Sequence, residues 1–289
     1  MNRGSTSVHL PEPISDSDFN YIQVLVKDHT AVALDDSKVY LVNARLLPIA
    51  RDAGFPSVVA LIKELRSRPF GSLHALSVEA IVTTETSFFR DHFPFEALRT
   101  TIIPEIIESK RRDDRSLSIW SAGCSSGQEP FSVAMLLRDT FPQLATWNVR
   151  LFASDVSNGM LKRSKAGIYS QNEVNRGLPA PMLVRYFTQK GTSWHINDDL
   201  RRTVTFFQHN LARDTPSLPP VDIVLVRNVL IYFDVETKRL VLDKIRRHLR
   251  PGGFLILGTA ETTLNLDERF FRHRDGRAVF YRNGAAEAL

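Results

Sequence analysis

The chain has 289 residues, 43% hydrophobic and 24% charged, with a formal net charge of +5. That length suits one large domain with a smaller companion, and the composition is that of a globular protein with apolar residues enough for a sizeable core. No apolar run reaches bilayer-spanning length, and Asp16, Asp18 and Asp28 break up the first thirty residues, so neither a membrane insertion nor a signal peptide is expected. The single cysteine, Cys124, excludes an intrachain disulfide and suits a reducing, cytoplasmic compartment. Eight scattered histidines show no zinc-type spacing, so no metal is expected. The mild basicity is compatible with nucleic acid, a membrane surface or an acidic protein as partner. The densest cationic cluster, Lys110-Arg111-Arg112, is followed at once by Asp113-Asp114 and reads as a solvated face.

Residues 1–13, rich in Ser, Pro and Gly, are expected to be disordered. From Asp16 the pattern turns helical through Phe19, Ile22 and Val26, with a break near His29. A second helix is expected over about 37–53, interrupted at Pro48, since proline inside a helix costs about 3 kcal/mol; Gly54 suits its C-terminal stop. Ser57 suits the cap of a third helix over 58–66, and a fourth follows around 73–82. Residues 14–82 thus read as an all-helical N-terminal domain, followed by a linker and junction helix over 83–117.

The periodicity then changes. Ser118-Ile119-Trp120 is a short apolar strand with glycines after it, and a helix is expected over 131–137. Strands follow over 148–153, ending in Ser154-Asp155, and over 204–207. Val221–Val226, VDIVLV, is a continuous apolar run of the kind buried on both faces of a parallel sheet. An amphipathic helix over 238–249, closed by Arg250-Pro251-Gly252-Gly253, precedes a strand over 254–257. Alternating strands and helices indicate an α/β doubly wound, Rossmann-like domain over 118–289. Between Gly159 and Leu211 the alternation is lost, and a small β-rich insertion is expected at about 165–207. There are no internal repeats.

Four segments carry candidate chemistry. Ser121-Ala122-Gly123-Cys124-Ser125-Ser126-Gly127 forms a strand-to-helix turn whose glycines allow a cofactor close to the backbone. It is equally ordinary punctuation, and Cys124 there reads as a small residue that fits closely. Asp155 closes the next strand, where an acid accepts hydrogen bonds from ribose hydroxyls; it also suits a helix N-cap. Its distance in sequence from Gly123 exceeds the usual dinucleotide pattern, which disfavours a plain nicotinamide fold. Arg227-Asn228-Val229-Leu230-Ile231-Tyr232-Phe233 follows the most apolar strand. There Arg227 suits an anion and Asn228 an adenine edge or a carboxylate, or else Arg227 lies on the surface, Asn228 caps a loop and Tyr232 is a core aromatic. Thr84-Glu85-Thr86-Ser87-Phe88-Phe89-Arg90 lies at the junction of the two domains, a place favoured by ligand sites, although capped aromatics at a helix start would look the same. His92 and His209 read as structural.

Thr84-x-Thr86-x-Phe88-Phe89-Arg90, then Ala122-Gly123-Cys124-Ser125-Ser126-Gly127-Gln128-Glu129-Pro130, then Phe152-Ala153-Ser154-Asp155, then Arg227 to Phe233 resemble the motifs of the CheR-type chemotaxis receptor methyltransferases. The resemblance runs in order from about residue 16 to residue 282, and Gly167-Ile168-Tyr169, Arg185-Tyr186-Phe187, Gln208-His209-Asn210-Leu211 and Pro251-Gly252-Gly253 also fit. It implies a helical N-terminal domain, an S-adenosylmethionine-binding methyltransferase domain and an antiparallel β-subdomain inserted in it. It further implies methyl transfer to glutamate carboxylates in the cytoplasmic domains of membrane chemoreceptors, with S-adenosylhomocysteine as product and a monomeric enzyme. Thr84, Thr86 and Arg90 are implied at the cofactor's methionine end or the transfer site. Gly123 and Glu129 are implied at the glycine turn, Asp155 at the ribose, Asn210 and Leu211 at the adenine, and Arg227, Asn228 and Tyr232 near the sulfonium.

Three departures stand out. Thr84 replaces a common Asn. Pro48 and Ile49 occupy often basic positions of the receptor-facing second helix, leaving Lys38, Arg45 and Arg51 as its cations. The hairpin between Phe187 and Val204 is short, which suggests a member that does not grip a receptor C-terminal peptide. The implied chemistry suits the residues. A glutamate carboxylate is ionised at pH 7, so no strong base is required, and the guanidinium fork of Arg90, helped by Tyr232, suits orienting it. Competing readings are a non-catalytic cofactor-binding docking module, a small-molecule or nucleic-acid methyltransferase, and a nicotinamide oxidoreductase. The helical domain favours a protein partner over nucleic acid.

Overall fold

The computed structural model describes residues 13–110, 114–213 and 217–284. The expected disorder of residues 1–13 falls almost entirely outside them, as does Arg111-Arg112-Asp113 of the charged cluster. The chain divides into two compact units, up to Thr83 and from Thr84 onward.

Among the described residues the first unit holds four α-helices and a short 3-10 turn over Asp36–Lys38. In α1 (Asp16–Thr30) the Ser15 hydroxyl accepts from Asp18 N, and Asp16 and Asp18 place negative charge where the helix dipole favours it. Phe19, Ile22, Leu25 and Val26 recur every three or four residues and are buried, which is what makes the helix amphipathic. The second helix, α2 (Val39–Asp52), continues through Pro48. That proline is exposed, so the loss of one ladder bond is met by solvent and the helix runs four residues further. Ser57 caps α3 (Val58–Ser67) by accepting from Ala60 N. The last, α4 (Ser72–Ile81), ends at Val82.

The second unit opens with α5 (Phe93–Ala97), a π-helical turn over Leu98–Ile102 and α6 (Ile103–Ser109). Strands and helices then follow as β1 (Ser116–Ala122), α7 (Gln128–Thr140), β2 (Asn148–Asp155), α8 (Asn158–Ala166), β3 (Ile168–Ser170), α9 (Gln171–Asn175) and α10 (Ala180–Tyr186). The rest is β4 (Phe187–Lys190), β5 (Ser193–Ile196), α11 (Asp198–Arg201), β6 (Val204–Gln208), β7 (Val221–Val226), α12 (Val235–His248), β8 (Leu249–Leu257), β9 (Phe270–Asp275) and β10 (Ala278–Asn283).

A seven-stranded sheet has the order β6-β2-β1-β7-β8-β10-β9. The first five strands are parallel, and β10 pairs antiparallel with β8 and β9. All six residues of β7 are buried; five are apolar, and Asp222 is compensated by Lys110 Nζ at 2.9 Å and by Ser118 N, which donates to it at 2.8 Å. Strand order reverses between β1 and β7, the switch point at which open α/β sheets form their ligand crevice. This is a Rossmann-like, doubly wound α/β fold with an antiparallel pair at one edge. Three short strands make a separate antiparallel sheet, β3-β5-β4, in the stretch where the alternation is lost.

Two boundaries differ from the sequence reading. Arg250-Pro251-Gly252-Gly253 belongs to β8 rather than to a turn after α12, because a register irregularity opposite Val221 and Ile223 lets the strand carry its glycines. The first crossover helix, α7, begins directly after Gly127, so only five residues separate it from β1. No helix among the described residues is long and apolar enough to cross a membrane.

Candidate active site

Strand pairing aligns Ala122 with Ser154, Ser154 with Phe207, and Val226 with Leu257, so the loops after β1, β2, β6, β7 and β8 emerge along one edge. Gly123 turns the chain there with φ +80°, and a Cβ on it would lie 2.5 Å from Val229 Cγ2. Any side chain would therefore push the β1 and β7 loops apart. Gly123 N and Cys124 N donate to Ser154 O at 2.8 and 2.9 Å. Ser125 N donates to Asp155 Oδ2 at 2.8 Å, and Ser157 N to Asp155 Oδ1 at 2.9 Å. The buried Asp155 carboxylate thus pins the glycine turn to the end of β2. The cap of α8 is Ser157, which accepts from Met160 N, so the N-cap role considered for Asp155 falls two residues later.

Behind the turn lies a buried charge cluster. The Arg227 side chain is 1% exposed. Its Nη1 donates to Glu129 Oε2 at 2.9 Å, and its Nη2 to Asp91 Oδ2 at 3.0 Å and Arg90 O at 2.6 Å. Glu129 also accepts from Ser121 Oγ at 2.7 Å, and Phe95 lies under the guanidinium at 5.5 Å. A buried guanidinium is tolerable only with such counter-charges, and removing one partner of a buried pair leaves the other uncompensated. Arg227 is therefore neither a surface residue nor an open anion site. Its head group joins the Arg90 segment, α7 and β7 into one frame.

The loop after β7 is held from a second side. Glu261 Oε2 accepts from Asn228 N at 2.8 Å and Gly258 N at 2.7 Å, and its Oε1 from Val229 N at 2.9 Å and Ile231 N at 3.3 Å. Asn228 sits at φ +58°, and its Oδ1 is buried without a hydrogen-bond partner. A buried acceptor is normally paired, so this atom suits a donor supplied by a ligand.

Arg90 lies between left-handed residues, Phe89 at φ +46°, Asp91 at +68° and His92 at +47°. Each such conformation costs about 1–3 kcal/mol and persists only where surrounding contacts enforce it. Here Ser132 Oγ accepts from Phe89 N at 3.0 Å, and Phe88 is fully buried against Tyr169 and Phe187. Arg90 Nη1 donates to Glu85 O at 2.9 Å, and the Thr84 carbonyl accepts from Ser125 Oγ at 2.6 Å, tying this segment to the glycine turn. Among the described residues, the Thr86 and Tyr232 hydroxyls make no hydrogen bond, and both residues are half-buried. Burial, with the Asp155 and Glu129 carboxylates nearby, pushes the Cys124 thiol well above its ordinary value, so it is a packing residue and not a nucleophile.

A family model for the CheR methyltransferase, SAM binding domain, matches residues 84–279. The chain belongs to the CheR methyltransferase family. Chemotaxis protein methyltransferase 1 of Pseudomonas aeruginosa (strain PAO1) is 37% identical over 273 residues, covering 93% of this chain and 98% of its own. Chemotaxis protein methyltransferase Cher2 of Pseudomonas putida (strain KT2440) is 37% identical over 258 residues, covering 88% and 93%. The chemotaxis protein methyltransferase of Vibrio anguillarum is 34% identical over 272 residues, covering 93% and 98%.

As in the CheR family, this chain is a methyltransferase whose cofactor is S-adenosylmethionine. The site fits it. Asn228 Oδ1 is buried at this edge without a hydrogen-bond partner in the protein, an acceptor for a ligand's donor. Asp155 stands at the end of β2, with its carboxylate bound to the Ser125 and Ser157 amides at the glycine turn. Asn210 and Leu211 follow β6 at the same edge, where Asn210 Oδ1 accepts from Ala212 N and Arg213 N and Leu211 is buried. Thr84, Thr86, Arg90, Gly123, Glu129, Asp155, Asn210, Leu211, Arg227, Asn228 and Tyr232 all lie in the second unit, on the segments that meet at this edge.

Lys38, Arg45 and Arg51 lie in the first unit. Arg45 Nη1 donates to Ala80 O and Val82 O, both at 3.1 Å, so it closes the end of α4 instead of presenting a charge outward. Sequence reasoning passed over Asp91, Glu261 and Tyr169. Tyr169, fully buried in β3, donates from its hydroxyl to Ser126 O at 2.8 Å and fastens the small sheet to the glycine turn. A lone acid among the threonines of Ala260-Glu261-Thr262-Thr263, just past a buried strand, was the one local sign of Glu261.

Proposed function

We propose that this enzyme methylates glutamate side-chain carboxylates in the cytoplasmic domains of membrane chemoreceptors, yielding glutamate methyl esters and S-adenosylhomocysteine for sensory adaptation. The observation that carries the reading is the Arg227 ion-pair frame, which draws Arg90, the glycine turn and the Asn228 loop to one edge. The chemotaxis names of relatives 34–37% identical over most of the chain point to receptors as substrate.

When bound, the cofactor supplies an electrophilic methyl on a sulfonium. Asp155 is assigned to its ribose, Glu129 to a contact across the glycine turn, and Asn210 and Leu211 to its adenine. Thr84, Thr86 and Arg90 are assigned to its methionine end or the transfer site, Gly123 to the glycine turn and Asn228 to the sulfonium side. Arg90 and Tyr232 would hold a glutamate carboxylate to which the methyl could pass, its C–O bond forming as S–CH3 breaks with the electron pair left on sulfur. The carboxylate, with a reference pKa near about 4.3, is already ionised, so no base is required. Alignment must then supply most of the acceleration, and positioning is worth roughly 7–11 kcal/mol in favourable cases. Arg90 and Tyr232 orient the carboxylate; too strong a grip on the attacking oxygen would stabilise the ground state instead. Arg227 is a positioning residue acting through Asp91, Arg90 O and Glu129.

On the first unit, Lys38 and Arg51 with the exposed Tyr40 are the proposed receptor-facing residues. The β4–β5 hairpin has four residues per strand and a two-residue turn, Gly191-Thr192. This small hairpin supports docking without a receptor C-terminal peptide. Calorimetric titration with S-adenosylhomocysteine tests the site: wild type binds at micromolar concentration and Asp155→Ala does not. Receptor methylation then falls sharply in Arg90→Ala. Failure of folded wild type to bind would overturn the enzymatic reading.

A further inference from the structure

A cleft of about 350 Å³ lies beyond β8, beside the loops just described. Phe93, Gly258, Glu261, Thr262, Arg272 and Arg277 line it. Its placement follows from strand pairing. Tyr281 lies opposite Leu255 and β10 runs antiparallel to β8, so Ala278 reaches the edge just past Leu257. Asp275 pairs with Ala278, so the β9–β10 turn, which carries Arg277, also sits at the edge where the Asn228 loop emerges. Between β7 and that turn lie two to three strand spacings, or about 10–14 Å. Glu261 forms part of the cleft wall and holds the amides of Asn228, Val229 and Ile231, so wall and transfer loop move as one piece.

The cleft is electrostatically unbalanced. Arg277 lies over the Phe93 ring at 5.6 Å, and among the described residues neither it nor Arg272 has an ion-pair partner. Arg269 pairs with Asp267 and Asp243, and Arg282 with Glu105, while Arg274 donates to Gly276 O at 2.9 Å. The nearby acids are already engaged. Glu261 accepts four amide hydrogens, and Asp275 takes the Thr100 and Thr101 hydroxyls. Two exposed guanidinium groups, one backed by an aromatic face, thus remain to meet negative charge from outside.

Resting on the receptor reading above, we propose that this cleft is a second substrate subsite. In it Arg272 and Arg277 hold a carboxylate of the acidic polypeptide at a fixed distance from the methyl-accepting glutamate. At 1.5 Å rise per residue, a separation of about 10–14 Å corresponds to roughly seven to nine residues along a helix. The subsite favours which glutamate enters the transfer site, since an acceptor binds more tightly when a second acid sits at that spacing.

The test uses the full-length enzyme and a purified cytoplasmic fragment of a chemoreceptor encoded in the same genome, following methyl ester formation. The double variant Arg272→Ala/Arg277→Ala raises KM for the fragment by about tenfold, with kcat and S-adenosylhomocysteine affinity within about twofold of wild type. Salt raises the wild-type KM more steeply than that of the double variant, which keeps only the other cationic contacts. Arg272→Lys/Arg277→Lys restores most of the loss. Neutralising the acid seven to nine residues from the methylated glutamate raises KM for wild type but not for the double variant. A double variant with wild-type KM and salt dependence would overturn the subsite. So would duplex DNA that displaces the fragment from wild type but not from the double variant, since phosphate would then be the anion held. Wild type that binds S-adenosylhomocysteine but methylates no receptor fragment would defeat the receptor reading itself, and the subsite with it.

Discussion

Replacing Glu261 by Gln tests the architecture of the site without touching a residue assigned to ligand. The carboxylate accepts four amide hydrogens at 2.7–3.3 Å, one from Gly258 and three from Asn228, Val229 and Ile231. Glutamine keeps one acceptor oxygen and turns an NH2 group toward the other pair of amides. At least two charge-assisted bonds are lost, each worth about 1.5–3 kcal/mol, and donors then face donors. The Asn228 loop is thereby destabilised by about 3 kcal/mol or more. Because Asn228 stands at φ +58° and needs that support, re-forming the loop costs binding energy. At about 1.4 kcal/mol per tenfold, S-adenosylhomocysteine affinity falls on the order of 100-fold. Glu261→Ala, which admits water to all four amides, is no worse than Glu261→Gln. Calorimetry on both variants, with circular dichroism to confirm folding, checks the ranking. A Glu261→Gln protein that binds within about twofold of wild type would show that the loop holds itself and that this reasoning is wrong.

Two further outcomes follow from the packing around the site. Gly177 stands at φ +87°, and a Cβ there would lie 2.1 Å from Phe88 O; Gly177→Ala therefore costs about 2–4 kcal/mol, read as a shift in the urea midpoint, and a loss below about 0.5 kcal/mol would contradict the close approach. Tyr186 is raised to about 12, by burial first and then by its 2.6 Å bond to Asp139, so the folded state favours the neutral phenol. That contribution is full below pH 10, the unfolded value, and is lost as pH rises from 10 to about 12. Tyrosinate absorbance of wild type against Tyr186→Phe checks it, and a Tyr186 that ionises near 10 would refute it.

Sequence by itself determined those features whose cause is local. A β-branched run with one acid in it, VDIVLV, preceded by prolines, reads as a strand covered on both faces, and Val221–Val226 is one. Ser15 and Ser57 cap helices because a hydroxyl just ahead of an apolar-periodic stretch reaches the amide three residues on. Glycines between β1 and α7, with Asp155 after the next strand, marked the ligand edge, and the ordered motifs carried the family. Even Pro48 misled for a local reason: propensity counts the missing ladder bond but not the solvent that compensates it.

The tertiary structure alone decided which charges meet. Arg227 finds Glu129 and Asp91 across 98 and 136 residues of chain, because the strand order sets β7 beside β1 and the Arg90 segment folds back beneath them. Without that order Arg227 read as an anion-binding or surface residue, and Arg45 as a receptor contact before Ala80 and Val82 claimed its head group. The four amides on Glu261 and the unmatched pair Arg272 and Arg277 are likewise invisible to periodicity. Ion pairing and amide capture act over a few ångströms of space, and only the folding of distant segments onto one sheet edge determines which groups come that close.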